Sequence, residues 1–248
     1  MSTEKADAIV IRQADFSESS RVVTFFSREF GKFAVLAKGA KRLKGPFDAA
    51  LDLLSTCRVV FLRKSSGALG LLTQAQLISR FAPAPSSLNA LYGGYYVADL
   101  LAGLTEEFDP HPEIFELSGH TLQALADPDM DSASVIVQFE VRLLQYVGIF
   151  PNLTACSVCG GSVESGQFAH WVSQGGLLCA ACGREEYAGK KISGGTIAVL
   201  KTITDVDSPL ASRVRLTRTQ VAECHRFAVS AITHVLGRKP GTLRFLNF

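Results

Sequence analysis

Two short cysteine units constrain this chain more than any other feature. Cys156-Ser-Val-Cys159-Gly160 and Cys179-Ala-Ala-Cys182-Gly183 are C-x-x-C-G units, with 19 residues between the pairs. Two residues between cysteines let both sulfurs of a knuckle reach one ion. The glycine that follows can take a positive φ, which closes the turn and aims backbone N–H groups at sulfur. The intervening loop can return as a hairpin, residues 167–172 against 176–179, bringing the second pair beside the first. Four thiolates so arranged predict one structural zinc ion in a closed site made by Cys156, Cys159, Cys179 and Cys182.

Other chemistries for these cysteines fit less well. Redox dithiols more naturally occur as one pair beside a βαβ pattern. A zinc deaminase needs an H-x-E element and a P-C-x-x-C, whereas here Leu178 precedes Cys179, and His170 is followed by Trp171 and Val172. His170 reads as a surface residue or a neighbour of the ligands. Cys57 lies in a strand pattern and Cys224 on a helix face, and both read as buried inert thiols. Cys224 and the adjacent His225 would point about 100° apart on a helix, a poor geometry for sharing an ion.

The first 80 residues read as β-structure. Residues 8–13, 21–27, 31–38, 56–63 and 69–78 are short runs rich in Val, Ile, Phe, Leu and Thr, separated by turn-like pieces. Five such strands suggest an OB-fold barrel. After Pro83–Pro85 a helical period takes over. One helix is capped by Ser86, a second starts at Pro112, and a third is capped by Asp131 or Ser132 and ends at Gly148. Two more helices are predicted over 195–204 and 219–236, beyond the Gly-rich cysteine segment. The fold class is therefore α+β and multidomain. Residues 1–80 form the barrel, residues 81–152 and 191–248 an α-helical domain, and residues 153–190 a four-cysteine zinc-ribbon insertion.

Charge is segregated along this map. The net charge is only +2, yet residues 1–80 carry a net +6, residues 81–150 a net −9 and residues 151–248 a net +5. Two basic segments flanking an acidic one imply modules with different partners. The run Lys38-Gly-Ala-Lys41-Arg42-Leu-Lys44 is the densest cationic piece. On a small barrel it would be a phosphate-tracking rim, supported by Arg21 and Lys32. Phe25, Phe26, Phe33 and Phe47 are interleaved with it and read either as stacking surfaces or as core. Neighbours Phe25 and Phe26 should face opposite ways.

Several classes are excluded or disfavoured. A hydrophobic share of 47% with 19% charged residues is globular, not disordered, composition. No run of about 18 apolar residues could span a membrane. The start MSTEKADAIV has no secretory pattern, so the cytoplasm is expected. There is no phosphate-binding loop, no dinucleotide fingerprint, no G-x-S-x-G and no H-E-x-x-H. The expectation is a non-enzymatic protein with no small-molecule substrate. A ribbon-and-barrel adaptor acting on RNA or in transcription is the alternative to a DNA-binding role.

The ordered set of motifs resembles the RecO family of bacterial recombination mediators. The matching stretches are Phe16-Ser-Glu-Ser-Ser-Arg21, Glu29-Phe-Gly-Lys-Phe33, Ala37-Lys-Gly-Ala-Lys-Arg42 and Phe139-Glu-Val-Arg-Leu-Leu144. Gly148-Ile-Phe-Pro-Asn-Leu153, the two C-x-x-C-G units, Gly175-Gly-Leu-Leu-Cys179 and Leu236-Gly-Arg-Lys239 extend the match over nearly the whole chain. The resemblance implies an N-terminal OB-fold, a helical domain and a zinc ribbon. It implies DNA repair by binding single- and double-stranded DNA, annealing complementary strands and joining RecR. With RecR, such a protein helps RecA load onto strands covered by single-strand-binding protein. It also implies that the acidic, Phe-ended tail of single-strand-binding protein docks on the helical region. Because residues 81–150 are acidic here, the tail would find the lone central cation Arg142, or Arg226 and Arg238 from the C-terminal segment, beside an apolar pocket.

Overall fold

The computed structural model describes residues 2–42, 45, 47, 50–64, 69–163, 169–172, 176–205 and 214–247. The chain forms two compact units, Met1–Met130 and Asp131–Phe248.

The first unit is built on a closed five-stranded barrel. Its strands are β1 (Ser2–Asp15), β2 (Arg21–Ser27), β3 (Gly31–Ala37), β4 (Thr56–Arg63) and β5 (Gly70–Ser79), in the spatial order β1-β2-β3-β5-β4. β3 pairs with β5 in parallel; the other pairings are antiparallel. This is the OB-fold arrangement that the strand pattern predicts. β1 begins earlier than the expected residue 8, and the additional residues pair with the far end of β4.

Strand alternation sets the core. β3 alternates strictly between buried and half-buried positions, as a period of two requires. Phe25, Phe33 and Phe61 meet inside, with ring centroids 5.5 Å apart for Phe25–Phe33 and 4.4 Å for Phe33–Phe61. Small residues Ala6, Ala8 and Ala37 share the interior and leave room for the rings.

The outer wall is covered as well. Phe26 faces away from Phe25, as the alternation predicts, yet it is fully buried. Two helices account for this: α1 (Leu88–Leu104) packs on β1, and α2 (Pro112–Ala126) packs on β2. Phe25, Phe26, Phe33 and Phe47 are all buried, so none offers a stacking surface.

α1 is capped by Ser87, one residue beyond the predicted cap. Of its two internal glycines, poor helix formers, Gly94 has a packing reason. A Cβ on Gly94 would stand 2.5 Å from Phe81 Cε1 and 2.7 Å from Leu54 Cδ1. At the other end of α1, the Lys32 ammonium donates to the Ala102 carbonyl at 2.7 Å and to the Thr105 carbonyl. It thereby satisfies carbonyls that the helix end leaves without partners.

In the second unit, α3 (Ser132–Tyr146) is capped by Asp131 and followed by Gly148 at φ 75°. A four-stranded sheet follows, β6 (Asn152–Cys156), β7 (Ala169–Val172), β8 (Gly176–Leu178) and β9 (Lys191–Ile192), in the order β6-β8-β7-β9. The predicted hairpin is present as the antiparallel β7–β8 pair. α4 (Gly194–Thr204) starts from the cap Ser193, and α5 (Arg218–Leu236) starts from a capping box of Thr217 and Gln220. Trp171, Phe227, Leu177, Ile197 and Leu200 belong to one core shared by sheet and helices.

A buried carboxylate ties α5 to the start of α4. Glu223 Oε2 accepts from the Ser193 N–H at 3.0 Å, the Ser193 hydroxyl at 2.8 Å and the Thr196 hydroxyl at 2.5 Å. Burial opposes its charge. The Thr196 hydroxyl, the Ser193 N–H and hydroxyl, and the charge of Arg226 outweigh that effect and hold the carboxyl below its ordinary range. Cys57 and Cys224 are fully buried, and burial pushes both thiols up to about 12, as inert core cysteines require.

Two outcomes are expected. Gly31 has φ 63°, and a Cβ there would lie 1.9 Å from the Asp109 carbonyl oxygen. Gly31→Ala should therefore destabilise the first unit by about 3 kcal/mol or more, read from urea unfolding. Glu223→Gln should lower the stability of the second unit most at pH 7. Because the native carboxyl titrates below its unfolded value, the wild-type advantage is present above that value. It fades as pH falls through the native pKa, so urea midpoints of the two proteins should converge in acid.

Candidate metal centre and nucleic-acid interface

Cys156 closes β6, Cys159 ends its knuckle, and Cys179 and Cys182 form the matching knuckle after β8. The four sulfurs lie within 4.8 Å of one another. The knuckles are ordinary turns. The Gly160 N–H donates to the Cys156 carbonyl and the Gly183 N–H to the Cys179 carbonyl, each at 2.9 Å. Gly160 takes φ 68°, as expected of a knuckle glycine. Gly183 does not use the left-handed region. Its reason is space, because a Cβ there would stand 2.6 Å from the His170 ring. His170 is therefore a packing neighbour of the second knuckle, mostly buried, with Nδ1 2.9 Å from the Tyr187 carbonyl.

The donor set suits a cation. Tetrahedral coordination with metal–sulfur distances of about 2.3 Å sets sulfurs about 3.8 Å apart, and Cys159 Sγ lies 3.8 Å from Cys179 Sγ. Burial works against a Cys156 thiolate. N–H groups of Cys159, Cys179 and Val158 aimed at its sulfur outweigh that and bring it down to about 6. Thiol hydrogen bonds with Cys159 and then Cys179 push Cys182 up to about 12. Four thiolates can share this space only with a positive ion among them. With an ion bound, protein sulfur would fill all four positions of a tetrahedron and leave no place for a substrate.

In the first unit, the predicted cations gather at one loop end of the barrel, with an exception. Lys41 Nζ lies 2.8 Å from Asp15 Oδ2 and 3.3 Å from the Ser17 carbonyl. Arg21 Nε is 3.1 Å from Asp15 Oδ1, and its guanidinium also donates to Gln13. Lys41 first, and Arg21 second, lower the pKa of Asp15. The Lys41 N–H donates to the Ser19 carbonyl at 3.1 Å, stitching the basic loop to the β1–β2 turn. Lys38 and Arg42 are exposed. Lys44 lies outside the described residues. Lys32 is the exception: its ammonium caps α1 at another place on the barrel.

The basic loop has an aromatic neighbour that the strand pattern does not point to. Phe16 is 63% exposed and lies in the same β1–β2 turn whose residues 15, 17 and 19 hold Lys41. A signal for it exists, because a Phe inside Asp15–Ser20 sits in a turn and cannot follow the strand alternation into the core. Among the three cations suggested for a partner's tail, Arg142 is half-buried on α3 with its Nε unpartnered. Arg226 is exposed on α5, near enough to Glu223 to affect it, and Arg238 is exposed just beyond the Gly237 cap.

Comparison with known proteins now adds a lineage to the geometry. The family model described as Recombination protein O N terminal matches residues 1–81, and Recombination protein O C terminal matches residues 85–244. The chain belongs to the RecO family. The DNA repair protein RecO of Rhodopirellula baltica is 40% identical over 179 residues, 71% of this chain and 65% of that relative. Those of Desulforamulus reducens and Anaeromyxobacter dehalogenans are each 29% identical over 247 residues, the full chain, and 95% and 97% of those relatives. This RecO family member thus groups with DNA repair proteins. No helix among its described residues is long and apolar enough to cross a membrane.

If the four cysteines hold an ion, removing one ligand should cost folding first. Cys179→Ser is expected to lose bound metal in elemental analysis and to lower the melting temperature of the second unit by about 10 °C or more in calorimetry. A metal-free variant of unchanged stability would contradict the assignment.

Proposed function

We propose that this protein is a non-enzymatic DNA-binding mediator of recombinational repair. It would bind single- and double-stranded DNA and anneal complementary strands. With RecR it would help load RecA onto DNA covered by single-strand-binding protein. One observation carries the reading: Arg21, Lys38, Lys41 and Arg42 share one loop end of a closed OB-fold with the exposed ring of Phe16. Annealing requires two polyanionic strands to approach each other. Neutralising phosphates lowers that repulsion without any bond chemistry. An exposed aromatic lets an unstacked base rest on the same platform.

The other parts of the proposal follow from this one. Lys44 continues the basic run and would extend the phosphate contacts, whereas Lys32 would act by holding α1 against the barrel. The four-thiolate site would hold one zinc ion, in a structural role, since its coordination would be complete without substrate. Residues 1–80 would carry DNA, residues 81–152 and 191–248 would carry partner proteins, and residues 153–190 would brace the second part. Arg142, Arg226 and Arg238 are the proposed contacts for the acidic tail of single-strand-binding protein. The protein would work in the bacterial cytoplasm at the nucleoid.

The test is a pair of variants in fluorescence anisotropy and strand-annealing assays over a salt series. Lys41→Glu with Arg42→Glu should weaken binding of single strands and duplexes alike by at least about tenfold and slow annealing. The slope of log affinity against log salt should flatten by about 0.7 for each single-strand phosphate that the variant no longer neutralises. Phe16→Ala should weaken single-strand binding by about five- to tenfold and leave duplex binding within about twofold. Unchanged affinity in the double charge reversal would overturn the reading.

A further inference from the structure

We propose that the ribbon carries a second single-stranded DNA site, centred on Tyr187 and distinct from the basic loop of the barrel. The proposal rests on the DNA-binding reading above and extends it to a surface with its own evidence. Between the two knuckles and the 3-10 helix Glu185–Lys190 runs an open groove of about 690 Å³. Its walls include Val158, Val172, Leu178, Arg184, Tyr187 and Lys190. That volume is in the range of small-ligand sites, about 300–1,000 Å³.

The lining has the chemistry of a nucleotide site. Among the described residues it supplies two cations, one aromatic ring, an apolar floor, the Ser157 hydroxyl and the Cys182 sulfur, and no carboxylate. Glu185 and Glu186 belong to the first turn of the 3-10 helix, and Glu186 stands 3.8 Å from Arg184 in an exposed pair. Such a pair contributes little and exchanges readily for another anion. Lys190 Nζ lies 5.6 Å from the Tyr187 ring centroid, at the outer range of a cation–π contact. In that position it can serve a phosphate beside a base stacked at the ring.

The ring itself is fixed. Tyr187 packs against the core of the second unit, and its carbonyl is bonded to His170, which in turn fills the space over Gly183. A rigid ring loses little entropy on binding. Val158, at the tip of the first knuckle, is 71% exposed, an apolar side chain with no core to enter. A stacked base covers such a surface, and only an unpaired strand can offer its base face to Tyr187.

The test uses the full-length, metal-loaded protein and an oligothymidylate carrying 5-iododeoxyuridine. Long-wavelength irradiation followed by peptide mapping should give a cross-link in residues 184–190. In anisotropy, Tyr187→Ala should weaken single-strand binding about tenfold, with Tyr187→Phe within about twofold of wild type and duplex binding unchanged. Because Tyr187→Ala also removes packing from the core, Arg184→Gln with Lys190→Gln provides an independent reading. It should keep metal content and melting temperature while flattening the single-strand salt slope by about 1.4 for two phosphates. Cross-links confined to residues 1–130, with both ribbon variants at wild-type affinity, would overturn the ribbon site and leave the barrel reading intact. Failure of the wild-type protein to bind any oligonucleotide would overturn both.

Discussion

β1 is hydrogen-bonded along both edges, to β4 through residues 2–9 and to β2 through residues 8–15, and the first unit follows from that double pairing. A slip in the register between Val10 and Arg12 lets one long strand turn from one partner to the other. Closure leaves the barrel without open sheet edges, and it also fixes where β1 ends. Asp15, its last residue, then meets Arg21 at the start of β2 and Lys41 in the loop after β3. The carboxylate holds two cations that would otherwise repel each other. The candidate DNA surface is thus a product of strand register, since a shift by one residue would turn Asp15 to the other face.

The second unit is held together differently. Its sheet has short strands, the longest five residues among the described ones, and such a sheet has little intrinsic stability. It is held from two sides. On one, Trp171 and Leu177 join Phe227, Ile197 and Leu200 in a common core. On the other, the four cysteines gather the ends of β6 and β8. Glu223 adds a polar clamp at the start of α4 that is as specific as the thiol cluster. A buried carboxylate with three donors tolerates only one arrangement of α4 against α5.

Much of this is legible in the sequence, and the exceptions have identifiable causes. Four of the five strand positions and the cysteine hairpin follow from alternation and spacing, which are local properties. The start of β1 is hidden because Ser2–Asp7 is polar on the side that faces solvent. Gly94 looks like a helix breaker because its purpose, admitting Phe81 and Leu54, lies in segments far from α1 in sequence or beyond its start. Phe26 looks available for stacking because nothing local announces that a helix will cover the outside of a barrel. Lys32 belongs by composition to the basic segment, yet its ammonium is committed to the end of α1. Phe16 escapes the pattern for the converse reason: it matches no periodicity, and that is the property that leaves it exposed.

The same sorting would let the proposed binding surface work without a favourable net charge. Residues 1–130 carry 13 basic and 15 acidic side chains, so the first unit as a whole would not attract DNA. Salt screens charges separated by more than about 8 Å at physiological ionic strength, which makes local composition decisive. Barrel cations that face the helices are neutralised there: Arg28 pairs with Glu116, and Lys32 is held by helix-end carbonyls. At the loop end, Arg21 and Lys41 share the single carboxylate of Asp15, and Lys38 and Arg42 are exposed. On the covered wall, a helix acid and helix-end carbonyls thus absorb the charge of Arg28 and Lys32, and under the proposed reading the cations left at the rim beside exposed Phe16 would direct a polyanion there.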